Sequence, residues 1–176
     1  YIAKRQPADW QPQAALVLGS GLNNISIAIQ DAVVLDYSDI PHFLNTKVEG
    51  HGGRLHLGWL GGCPVVCFQG RQHLYEGPAE CIEAWTVAMR SIRALGVKIV
   101  FLTAAAGSLN KTMTPGSLMM VADHVNLTGH NPLAGPNDDT AGPRFPNMGR
   151  AYDPDLRSWL LDIAIADGVP LVEGVY

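Results

Sequence analysis

What the sequence has little of narrows the field first. Charged residues make up only 16% of its 176 residues, and the 12 lysines and arginines form no cluster. With a formal net charge of -4, it lacks the basic footprint with which proteins neutralise a nucleic-acid backbone, so a nucleic-acid partner is not expected. No apolar run reaches the roughly 20 residues of a membrane-spanning helix, so no membrane partner is expected either. The opening segment YIAKRQPADW has no signal-peptide core, which predicts a cytoplasmic protein. Cysteine is scarce and odd in number: Cys63, Cys67 and Cys81 make no C-x-x-C pair and read as reduced, buried thiols. His42, His56, His124 and His130 lack metal-ligand spacing, so neither a metal nor another cofactor is expected. Internal repeats and low-complexity stretches are absent as well.

What is present is apolar and glycine-rich. Hydrophobic residues reach 47% and glycines number 19, as suits one globular domain over 1–176 with close backbone approaches in its loops. Ala14–Leu18 is wholly apolar, as in a strand covered on both faces. Leu22–Gln30 is weakly helical. Leu55–Leu60 and Val65–Phe68 read as strands joined through Gly61-Gly62, a pair suited to a tight hairpin. Ala79–Leu95 carries Ile82, Trp85, Met89, Ile92 and Leu95 at helical spacing, with Gly96 placed to end the helix. Val97–Leu102 follows as another buried strand, and Leu118–Val121 as a further one. The stretch from Asp123 to Arg150 is rich in Pro, Gly and Asn without periodicity, the mark of a functional loop. Pro154–Ala166 reads as an amphipathic helix with proline in its first turn. A last strand at Leu171–Tyr176, with no successor, predicts a piece of a longer protein. The expected class is α/β, with a central mixed sheet flanked by helices.

Three strand ends carry chemistry. Gly19-Ser20-Gly21 follows the first strand; small residues there let N–H groups converge on an anion, with the Ser20 hydroxyl as a further donor. No lysine follows in the Walker pattern, and a plain tight turn accounts for the same residues. The second is Gly70 to Gly77, GRQHLYEG. In an extended chain Arg71, His73 and Tyr75 share one face at a spacing of two. A guanidinium fork and an imidazole suit phosphate, the Tyr75 hydroxyl suits a sugar, and Glu76 can hold the imidazole in one tautomer. An exposed polar loop is the plainer reading. The third is Thr103-Ala104-Ala105-Ala106-Gly107-Ser108, where small side chains admit either a ligand or a closely packed helix. In open α/β sheets ligands sit beyond the carboxyl ends of strands, so three such ends together point to a shared anion site.

Other residues carry weaker signals. His51, between glycines, reads as a surface residue or a gate to that site. Trp10, Trp59, Trp85 and Trp159 read as core or interface packing. Asp138-Asp139 resembles a solvated loop.

Taken in register, LVLGSGL (16–22), VEGHGGRLHLG (48–58), GRQHLYEG (70–77), TAAAGSLN (103–110), DHVNLTGHNPLAGPND (123–138), RFPNM (144–148), AYD (151–153) and EGVY (173–176) resemble the trimeric class of purine nucleoside phosphorylases. The resemblance implies a nucleoside phosphorylase-like fold, incomplete at the C-terminal end, and assembly as a homotrimer. It implies cleavage of purine nucleosides by inorganic phosphate, a co-substrate, to free base and pentose 1-phosphate. Carried over residue by residue, Ser20, Arg71, His73 and the Ala105 backbone would bind phosphate, with His51 at its mouth. His73 and Tyr75 would be the catalytic pair, Tyr75 would touch the ribose, and Phe145 would reach into a neighbouring subunit's site to cover the sugar. Glu76 would support His73. The family usually has Asn where this chain has Ala104. Its base-recognition segments lie beyond Tyr176, so the 176-residue piece alone is expected to have little or no activity. Methylthioadenosine phosphorylase and a phosphate- or nucleoside-binding protein without turnover remain as alternatives.

Overall fold

The structure is a computed structural model and describes residues 1–45, 52–76 and 82–176. His51 and Cys81 lie outside the described residues, as does the side chain of Trp85. The chain forms two compact units, Tyr1–Ala106 and Gly107–Tyr176.

The first unit is built on a five-stranded mixed sheet in the order β2-β3-β4-β1-β5. Its strands are β1 (Ala14–Leu18), β2 (Gln30–Asp36), β3 (Arg54–Leu60), β4 (Cys63–Gln69) and β5 (Ile99–Leu102). β2, β3 and β4 form an antiparallel meander, whereas β1 lies parallel to both β4 and β5. The β3–β4 hairpin closes with Leu60 opposite Cys63, and Gly61 and Gly62 adopt φ of +57° and +77°. Two left-handed residues make the primed turn whose twist matches that of the strands, and glycine reaches it without steric cost.

Burial explains why β1 is apolar throughout. Ala15 and Val17 face a core with Leu55, Leu57, Val66, Phe68, Trp10 and Ile92, whereas Leu18 faces a second cluster with Ile29, Val65 and Cys67. The Trp10 indole N–H donates to the Gly58 carbonyl at 3.0 Å, so the one polar atom of this buried ring is satisfied. Helix α1 (Ile82–Ala94) ends in a Schellman motif. Gly96 N–H donates to Arg93 O and Val97 N–H to Ile92 O, with Gly96 at φ +92°.

Three expectations are corrected here. The segment read as a helix over Leu22–Gln30 is a 3₁₀ helix over Asn23–Ala28 followed directly by β2. No element was expected over residues 31–36, where the short apolar AVVLD run forms most of β2. The strand expected over Val97–Leu102 begins at Ile99, because Val97 completes the helix cap. It is also exposed rather than buried, from 39% at Ile99 to 66% at Leu102, since among the described residues β5 is the edge strand, paired with β1. Cys67 is buried as expected, but Cys63 is half-buried, its thiol 3.9 Å from the Gln13 side-chain carbonyl.

The second unit pairs β6 (Leu118–Asp123) with β7 (Leu171–Val175) in parallel, and helix α2 (Pro154–Ala166) precedes β7. Asp153 caps α2, accepting from the N–H groups of Asp155 and Leu156 at 2.9 and 3.2 Å, with Pro154 in the first turn where no N–H is needed. Between β6 and α2 the chain is irregular. Asn126, Asn131, Asp138 and Asn147 each accept an N–H from two residues ahead, holding the loop by Asx turns rather than by a core. Trp159 is 63% exposed, not packed in a core. Among the described residues no helix is long and apolar enough to cross a membrane.

Candidate functional site

The parallel strands bring three loops to one edge of the first unit. Leu18 pairs with Gln69 and Val17 with Leu102, so β1, β4 and β5 end at nearly the same level and in the same direction. Gly19-Ser20, Gly70-Arg71 and Thr103-Ala104-Ala105 are the residues that follow. Periodicity reveals each strand, but only the order β4-β1-β5 makes these loops neighbours.

The first and third loops are tied together by Thr103. Its hydroxyl donates to Val17 O at 2.9 Å and accepts from Gly19 N–H at 2.8 Å, while its own N–H donates to Val17 O at 3.0 Å. The approach is so close that a Cβ at Gly19 would stand 2.7 Å from Thr103 O and 3.0 Å from the Ala104 Cα. Glycine is required at this point by contact, not by backbone conformation. Beyond it Ser20 is exposed, as are Ala104 and Ala105.

The second loop leaves β4 through Gly70, buried and at φ +90°. The Tyr37 hydroxyl donates to the Gly70 carbonyl at 2.7 Å. Arg71 follows, half-buried, and lines a cavity of about 290 Å³ together with Gly70, Gln72, Tyr37, Phe43 and Phe68. The expected extended alternation does not persist, for residues Leu74–Glu76 turn into a short 3₁₀ helix. Glu76 folds back onto His73, with one carboxylate oxygen 2.7 Å from the backbone N–H and 2.8 Å from Nδ1. A carboxylate can only accept, so this pairing assigns the proton to Nδ1 and directs Nε2 away from Glu76. The Glu76 side chain is only 5% exposed, against 21% for His73, so its charge is poorly screened and the pairing correspondingly firm. The ring of Tyr75 stacks on that of His73 with centroids 5.0 Å apart, and Tyr75 is 77% exposed.

Beneath the loops the groups are uncharged. Burial, reinforced by the neighbouring Cys67, raises Tyr37 far above the ordinary tyrosine range, and burial pushes the Cys67 thiol up to about 12. Tyr37 therefore remains a donor at any ordinary pH.

Phe145 belongs to the second unit. It is 89% exposed and lines an open depression with Asn131, Leu133, Ala134, Arg144 and Pro146. Among the described residues no three His, Cys, Asp or Glu side chains gather as a metal site. Two features escaped sequence reading. Tyr37 carries no motif of its own beyond an aromatic in an apolar stretch, and Thr103 looks like one small residue among several.

Strands β4, β1 and β5 run parallel and carry small-residue, donor-bearing loops along their shared carboxyl edge, the place where ligands sit in open α/β sheets. The chain belongs to the phosphorylase superfamily, whose family model matches residues 13–176. It is 46% identical to purine nucleoside phosphorylase 1 of Geobacillus stearothermophilus over 165 residues, covering 94% of this chain and 60% of that protein. It is 43% identical to purine nucleoside phosphorylase of Mus musculus over 155 residues, covering 86% and 53%. Among solved structures, isoform 2 of purine nucleoside phosphorylase from Schistosoma mansoni, in complex with cytosine and ribose-1-phosphate, superposes with a TM-score of 0.90 at 35% identity. That match covers 100% of this chain and 62% of that one. The chain thus spans somewhat over half the length of the relatives it matches.

Proposed function

We propose that the protein of which this chain forms part is a purine nucleoside phosphorylase, cleaving purine nucleosides with inorganic phosphate to free base and pentose 1-phosphate. The observation that carries the reading is the alignment of the three strand-end loops at one edge of the parallel β4-β1-β5 strands. The naming of its relatives adds support and favours this reaction over methylthioadenosine phosphorolysis.

In this reading Ser20, Arg71, His73 and the Ala105 backbone hold phosphate beneath the sugar, with His51 at the mouth. As the bond from C1′ to the purine nitrogen lengthens, positive charge builds on the ribose, as in glycoside hydrolysis. The fixed dianion stabilises that charge, and one of its oxygens then bonds to C1′ while the electron pair of the broken bond leaves with the base. Donors fixed before the reaction need no reorganisation during it. Glu76 keeps His73 in the Nδ1–H tautomer, and Tyr75 meets the ribose; its exposure and its stacking on His73 support both roles. The exposure of Phe145 supports its reaching a neighbouring subunit, and with it a homotrimer. The family model running across both compact units supports one domain over 1–176. A cytoplasmic site of action agrees with the free thiols of Cys63 and Cys67.

The test is incubation of the full-length protein with inosine and phosphate and assay of hypoxanthine, beside a parallel reaction with methylthioadenosine. Phosphate-dependent hypoxanthine release is expected. Faster cleavage of methylthioadenosine would reassign the substrate, and phosphate binding without turnover would leave a binding protein.

A further inference from the structure

Tyr37 is absorbed by none of the roles above, yet it joins two of the segments at the sheet edge. Its backbone N–H donates to Gly53 O at 2.8 Å, and Gly53 N–H in turn donates to Gln69 O at 3.0 Å. Its hydroxyl reaches one residue further along the same chain, to Gly70 O at 2.7 Å. The ring is locked between Phe43, edge-on at 5.7 Å, and Phe68 at 6.3 Å, and only 4% of the residue is exposed. A buried ring with a single strong polar contact has no other orientation of similar energy.

That contact controls a peptide plane. The bond between Gly70 and Arg71 is trans, so its C=O and N–H point in opposite directions. With the carbonyl bound inward by Tyr37, the Arg71 N–H faces away from the aromatic cluster. Gly70, at φ +90°, is the residue type able to accept either orientation of this plane, so glycine alone would leave it undetermined. Tyr37 removes that freedom.

We propose that Tyr37 is a positioning residue for the phosphate site, its buried hydroxyl holding the Gly70–Arg71 peptide in the orientation that aims Arg71. The inference depends on the reading of Arg71 as a phosphate ligand. It touches no substrate and acts only through that ligand. Because the ring packing and the hydroxyl contact are separable, so are their effects.

The experiment is steady-state phosphorolysis of inosine by the full-length protein with phosphate and inosine varied in turn. Tyr37→Phe keeps the ring and removes the donor. The phosphate KM is expected to rise roughly 5- to 10-fold, the equivalent of one lost hydrogen bond, while the inosine KM stays within about twofold. Val65→Ala, which opens a void in the other buried cluster, at the end of β4 away from the loops, is expected to lower Tm and leave the phosphate KM unchanged. Should Tyr37→Phe fail to fold, Gly70→Ala disturbs the same plane from the other side and is expected to raise the phosphate KM selectively. An unchanged phosphate KM in the folded Tyr37→Phe protein, or in Gly70→Ala where that is the variant measured, would overturn the inference. An equal rise in Val65→Ala would overturn it too, as the effect would then be general loss of packing. Wild-type protein with no phosphate-dependent turnover would instead overturn the proposed function itself.

Discussion

Arg71 and Thr103 do different work at neighbouring loops, and their substitutions separate chemistry from architecture. Arg71 is the only arginine on the three loops, and a planar guanidinium is the best match to a phosphate face. Arg71→Ala is expected to lower kcat/KM for phosphorolysis about 10²-fold or more; turnover like that of the wild type would remove it from the site. Thr103 ties the first and third loops together through its hydroxyl. Thr103→Val keeps its shape but leaves the Gly19 N–H without its acceptor, a loss of about 1–3 kcal/mol to be read from urea unfolding. The difference was not legible in sequence. Arg71 announces itself by charge beside His73, whereas Thr103 gains its role only because Gly19 lies across from it.

At the scale of elements, local signals and local structure agree where the interactions are local. The helix Pro154–Ala166 was readable to the residue because its cap, its proline and its apolar spacing all lie within the same stretch. The cap also sets a pH dependence. Accepting the Leu156 N–H, and then the Arg150 guanidinium and the Asp155 N–H, holds the Asp153 carboxyl below its ordinary value of 3.8 against some desolvation. A carboxyl lowered in the folded state stabilises above its unfolded pKa and loses that contribution as pH falls through the folded one. Asp153→Ala should therefore lower Tm by a constant amount near neutral pH. That difference should shrink below the ordinary value of 3.8; a difference that persists undiminished in acid would show that the cap carries no charge-dependent part. Elements whose fate depends on distant partners were less legible. No element was expected over the β2 residues beyond Gln30, and β5 was expected to be buried although its position at the sheet edge leaves Phe101 47% exposed.

For the molecule as a whole, the proposed site makes a binding prediction independent of turnover. A ligand that binds only the folded state raises stability by about 2.7 kcal/mol at 100 times its Kd. Inorganic phosphate should accordingly raise Tm in a concentration-dependent way, and Arg71→Ala should blunt the rise. Sulfate offers a comparable tetrahedral anion, and chloride at equal ionic strength controls for screening. A Tm indifferent to phosphate in the wild-type protein would count against an anion site on this edge.

The sequence by itself determined the α/β class, most strands, both long helices, and the residues able to bind an oxyanion. Those follow from short-range rules: apolar periodicity, capping residues, glycine pairs and the chemistry of each side chain. Tertiary structure alone decided that Ser20, Arg71 and Ala105 follow strands ending side by side, that Gly19 must lack a side chain, and that Tyr37 governs the Gly70 carbonyl. Each of those joins residues at least 33 positions apart, and a pattern read along the chain carries no measure of what folding brings beside it.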